Sequence, residues 1–141
     1  MTKLVLTLVI LIFTINTNAQ SIFGKWENIS EETGAVDSVI EVYEKEGKTY
    51  AKIIAITNPK DQNSVCDKCD GNNKDKAILG MNILTGLQKK GNEWSGGKIL
   101  DPKNGKVYNC FIELKGADKL KVRGYLGVSL FGRTVYWIRQ K

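Results

Sequence analysis

Apolar side chains recur at every second residue in one short segment of this chain after another, and that period decides what it can fold into. Tyr108, Cys110, Ile112 and Leu114 alternate with Asn109 and Glu113; Leu120 and Val122 sit between Lys119, Lys121 and Arg123; Ile40 and Val42 are flanked by Glu41 and Glu44. A period of two is that of a strand with one apolar and one wet face, and such strands build an antiparallel sheet around a single interior. No amphipathic stretch is long enough for a major helix.

Eight strands are predicted: Gly24–Asn28, Val39–Glu44, Thr49–Thr57, Ile83–Lys89, Glu93–Leu100, Lys106–Leu114, Lys119–Tyr125 and Arg133–Arg139. Glycine-bearing hairpin turns separate several of them, at Lys45–Lys48, Lys90–Asn92, Asp101–Gly105 and Lys115–Asp118. Eight short strands fit a closed up-and-down barrel or a sandwich, and closure removes the exposed edges. Gly96-Gly97 in mid-strand predicts a bulge or sharp bend. The stretch from Asn58 to Gly80 is the one long irregular segment, and such segments tend to carry function or to be braced.

The chain has 141 residues, enough for one domain after a leader. Lys3 precedes the apolar run Leu4–Phe13, which is too short to span a bilayer about 30 Å thick. Small and polar residues follow, up to Ala19. This reads as a secretory signal peptide over residues 1–19 followed by a single β-barrel domain over 20–141, hence a periplasmic or secreted product. The competing reading is an uncleaved anchor. The net charge of +6 is scattered and contains no block of like charges, so no nucleic-acid arm is indicated. It leaves room for weak contact with anionic envelope surfaces but for no stable membrane anchor.

Histidine is absent, which removes the Ser-His-Asp and Cys-His nucleophilic arrangements and imidazole metal sites. Ser129 therefore has no base to activate it. Cys66-Asp67-Lys68-Cys69 leaves three readings open: a structural disulfide, a thiol–disulfide redox pair, or part of a zinc site. The redox pair lacks its usual helix N-terminus, and zinc lacks a fourth ligand unless Asp67 or Asp70 supplies it. Cys110 lies on the apolar face of its strand and reads as a buried thiol, although a bridge to the loop stays open. Asp67, Asp70, Asn72 and Asp75 fail the calcium-loop pattern, because Lys74 interrupts it and no glutamate closes it. Gly124, Gly127 and Gly132 match no phosphate-binding loop. No cofactor and no metal are expected. Val128–Phe131 is expected to cap a barrel mouth or form an exposed lip.

Gly24-Lys25-Trp26 near the start and Trp137-Ile138-Arg139 near the end resemble the lipocalin (calycin) arrangement. The resemblance implies a tryptophan plugging one end of the barrel with the arginine packed across it. Gly96–Tyr108 and Arg123–Thr134, with the Cys-x-x-Cys and the Gly-x-Trp, resemble the bacterial family catalogued as domain of unknown function 2147 over about residues 23–139. What this implies is an exported, lipocalin-like, eight-stranded antiparallel up-and-down barrel with no catalytic residue to carry over. The interior expected to meet a small apolar ligand is Trp26, Ile40, Val42, Ile54, Ile56, Tyr108, Ile112, Leu120 and Val122. An envelope structural or protein-interaction module is the second reading, and a redox protein using Cys66 and Cys69 the third. The exported protein should begin at Gln20. N-terminal sequencing checks this, and a retained Met1–Ala19 segment would end the export reading.

Overall fold

The computed structural model describes residues 20–141; the segment read as an export signal, 1–19, lies outside them. Eight strands follow in order: β1 Gly24–Ile29, β2 Val36–Lys45, β3 Lys48–Ile56, β4 Asn82–Lys90, β5 Glu93–Asp101, β6 Lys106–Lys115, β7 Lys119–Tyr125 and β8 Gly132–Arg139. Each pairs antiparallel with the next, and β8 pairs back onto β1 to close the barrel. This is the all-β up-and-down barrel that the alternation predicts. Strand direction sorts the connections. The start of β1, the end of β8 and the three tight hairpins lie at one end. The four other connections, including the long one between β3 and β4, lie at the opposite, loop end.

The barrel interior is a single apolar cluster. Trp26, Ile40, Val42, Ala51, Ile53, Leu84, Leu87, Ile112, Leu120, Val122 and Trp137 are all buried in it, and Trp94 and Ile99 pack on it from β5. Every strand therefore contributes, and burial of these side chains supplies most of the driving force for folding.

Two irregularities position the interior. Val39 pairs with Ala55 and Ile40 with Ile53, so Ile54 is an extra residue bulged out of the β2–β3 ladder. The inward set is consequently Thr49, Ala51 and Ile53 before the bulge, with Ile56 packing on the cluster after it. An expectation of Ile54 as an interior residue misses this phase shift, which a bulge imposes and a period cannot reveal. The second irregularity is the glycine pair in β5. Gly96 takes φ of 81°, the β5–β6 register shifts between Trp94 and Gly97, and a Cβ on Gly97 would overlap the Thr85 carbonyl oxygen and Leu87. Glycine lets β4 and β5 approach closely there.

Beneath the hairpin end lies Trp26, with no exposed surface. Its indole Nε1 donates to the Ile22 carbonyl at 2.9 Å. The Arg139 guanidinium stacks 4.3 Å from its ring centroid. Arg139 also donates from Nη2 to Ser21 O at 2.6 Å and from Nε to Ala117 O at 2.9 Å. One side chain thus ties the segment before β1 to the β6–β7 hairpin across the indole. Stacking alone contributes about 0.5–2 kcal/mol. Truncation of Trp26 removes the anchor and leaves a cavity. Trp26→Ala should cost about 3–5 kcal/mol in chemical denaturation, and an unchanged unfolding midpoint would refute this role.

Candidate functional site

The β3–β4 connection is folded upon itself. Asn58 Oδ1 caps a short 3-10 turn at Pro59–Asp61 by accepting from Lys60 N at 3.1 Å. Val65 and Ala77 form an isolated antiparallel bridge, flanked by Cys66 N to Lys76 O at 2.8 Å and Ile78 N to Ser64 O at 3.0 Å. Cys66 and Cys69 are joined as a disulfide, with Cα atoms 5.3 Å apart. Both are buried and pack with Met81 and Leu100 in a second small cluster, while Ile78 touches this cluster and the barrel core alike. Leu100 follows the core-packed Ile99 and so faces the other side of β5; the loop folds over the rim onto the wall.

The loop docks on the β5–β6 hairpin. Cys66 Sγ lies 3.4 Å from the Pro102 carbonyl oxygen, an apposition without a proton because both sulfurs are oxidised. A Cβ on Gly105 would overlap the Lys68 carbonyl, so this close approach requires glycine at the hairpin. Lys103 Nζ reaches Asp37 at 3.6 Å, an exposed pair of little energetic weight.

Between loop and hairpin opens a cleft of about 570 Å³. Leu100, Val107, Tyr108 and Leu126 give it apolar walls, and Lys68, Asp70, Asn73, Asn104 and Lys106 a polar margin. Asn104 Nδ2 donates to the Tyr108 hydroxyl at 3.1 Å, which holds the phenol at the rim. A concavity with apolar walls and a few polar groups is the form a small-molecule site takes. Beside it, the β7–β8 connection leaves Leu126, Val128, Leu130 and Phe131 exposed. Of the two expectations for Val128–Phe131, the exposed lip is what the structure contains.

The residues read from sequence as ligand-lining fall into three places. Trp26, Ile40, Val42, Ile112, Leu120 and Val122 pack against one another in the barrel core, and Ile56 packs on its edge. Ile54 sits half-buried at the bulge. Tyr108 alone lines the cleft. Sequence reasoning missed Ile22, Ala51, Ile53, Leu84, Leu87 and Trp137 as core. In β4 the inward residues Leu84 and Leu87 are three apart with Gly86 at φ 74° between them, so their period of two is broken. Ile22 precedes any strand and left no periodic signal.

A closed eight-stranded barrel in strict up-and-down order, with a buried tryptophan under a stacked arginine at one end, is a lipocalin-like barrel. Its fold is similar to that of protein HP1028 from Helicobacter pylori, described as belonging to the lipocalin family, with a TM-score of 0.75 at 19% identity over 86% of this chain and 84% of that one. Residues 24–139 match the family described as an uncharacterized protein conserved in bacteria, DUF2147, and the chain belongs to it. No curated protein matches the sequence.

Cys110 is the free cysteine among the described residues and is buried. Burial pushes its thiol from the ordinary 9.0 up to about 12. Between those values the unfolded chain releases the proton and the native barrel retains it, so this group makes stability fall as pH rises above 9. At pH 8 a thiol reagent should label nothing in the native protein and one cysteine after unfolding without reductant. Labelling of the native form, or of three cysteines, would contradict this arrangement.

Proposed function

We propose that this is an exported, non-enzymatic barrel that binds a small, largely apolar molecule, and that the cleft beside the disulfide loop receives it. The observation that carries the reading is the contrast between the two regions. The barrel axis is filled by side chains such as Trp26, Leu84, Leu87, Ile112 and Leu120, all 0% exposed, whereas the loop end offers an open cleft of about 570 Å³ lined by apolar and polar side chains together. Cys66 and Cys69 support it as a brace: a bond buried in its own cluster is shielded from thiolate attack, and a loop disulfide suits an oxidising compartment. The same burial speaks against thiol–disulfide exchange as the activity.

Solvent extraction of the purified protein followed by mass spectrometry should yield a bound apolar molecule, which competes with an environment-sensitive fluorophore such as anilinonaphthalene sulfonate. Val107→Glu, at an exposed position of the cleft wall, should weaken that binding about tenfold or more, since it puts a charge against apolar ligand surface. Binding that survives Val107→Glu would overturn the cleft as the site. Finding neither an extracted molecule nor any probe binding would end the ligand reading.

A further inference from the structure

We propose that the β7–β8 connection, Leu126–Phe131, is a lipid-docking tip that seats the loop end of the barrel in the interfacial layer of a phospholipid bilayer. Leu126, Val128, Leu130 and Phe131 are 61%, 60%, 79% and 69% exposed, and Val107 beside Leu126 on the cleft wall is 54% exposed. Single exposed apolar residues are ordinary; this many within one turn mark a contact surface.

The backbone of the tip shows what kind of contact. Arg123 donates from Nε to Ser129 O at 2.8 Å and from Nη2 to Leu130 O at 3.4 Å. Phe131 N donates to Val128 O, and Leu126 N to Phe131 O, each at 3.1 Å. Four successive carbonyls, Val128 to Phe131, are therefore satisfied from within the protein. Arg123 is itself steadied by its Nη1 donating to Thr134 Oγ1 at 2.8 Å. Apolar surroundings penalise backbone groups that lack such partners, so these carbonyls can meet the interfacial layer already paired, while the N–H groups from Gly127 to Leu130 suit a shallow seat among the headgroups rather than the hydrocarbon core.

Lipid fits it better than another protein does. A standard protein interface buries about 800 Å² per partner, more than a tip of four side chains offers, whereas interfacial insertion needs only a local apolar face. Lys68 and Lys106 border the neighbouring cleft and Arg133 follows the tip, so positive charge lies beside the apolar residues. Asp70 on the same cleft and Glu31, 2.7 Å from Arg133, offset part of that charge. Apolar insertion therefore outweighs attraction to anionic lipid.

The test is vesicle co-sedimentation of the form beginning at Gln20, which holds all eight strands and keeps segment 1–19 out of the assay. Vesicles are phosphatidylcholine alone or mixed with phosphatidylglycerol. Wild type should partition onto both, a few-fold better onto the mixture, and remain bound at about 0.5 M salt, where surface charge is screened. Leu130→Glu with Phe131→Glu, its fold checked by circular dichroism, should lower partitioning about tenfold or more. Leu130→Trp should retain it and blue-shift its emission on the vesicles. Partitioning unchanged in the double variant, binding lost entirely at high salt, or a tip-dependent dimer in light scattering without vesicle binding would each overturn the proposal.

Discussion

The stacking of Arg139 on Trp26 holds the two ends of the barrel sheet together. β8 meets β1 over only three residue pairs, Trp26 with Arg139, Glu27 with Ile138 and Asn28 with Trp137, a short seam beside the long ladders between β2 and β3 or β6 and β7. A short seam needs side-chain reinforcement. Arg139 supplies it by lying flat on the indole and reaching with its remaining donors to Ser21 and Ala117. The Trp26 indole in turn fastens Ile22, which is buried. Guanidinium geometry matters here: a planar fork can stack and donate sideways at once, which an ammonium cannot do.

With closure secured at the hairpin end, the loop end is free to be irregular. Its long connection carries its own apolar cluster and its own covalent link rather than drawing on the barrel core. Cys66, Cys69, Met81 and Leu100 make that small cluster, and Ile78 couples it to the main one. A disulfide spanning two intervening residues constrains a short loop, so its stabilising contribution is smaller than that of one closing a long loop. Its larger effect is local, since it holds the Lys68 carbonyl against the Gly105 backbone and so defines one wall of the cleft. Stability and candidate function thereby occupy opposite ends of the same barrel.

Filling of the interior separates this barrel from one that holds its ligand on the axis. An eight-stranded barrel is just wide enough either to be packed by side chains or to enclose one small molecule. Here two tryptophans, Trp26 and Trp137, and the leucines of β4 and β7 converge from facing strands. Bulky side chains from every direction leave the apolar surface of the rim as the accessible one. The free thiol of Cys110, neutral far above physiological pH, behaves as one more small apolar member of that packing.

Much was legible from the residues alone. Alternation in β2, β6 and β7 named their inward faces and glycine turns placed the hairpins, because each depends on neighbours one to four positions away; the closing pair of Trp26 and Arg139 was legible only through the resemblance to lipocalins. The inward phase of β3 before the bulge at Ile54, which buries Ala51 and Ile53, and the burial of Leu84 and Leu87 were not legible, because a bulge and a positive-φ glycine reset the period through contacts with adjacent strands. The cleft was out of reach for a stronger reason: Cys69, Leu100, Tyr108 and Leu126 stand on four different segments that no local pattern connects. Sequence by itself determined that this chain makes an antiparallel all-β domain, since period-two alternation is a property of each strand alone. Only the tertiary structure decided that the barrel is packed along its axis and open at its rim, since whether facing side chains meet or leave a space depends on strand tilt, register and the fold of one long loop, none of which is written in any single segment.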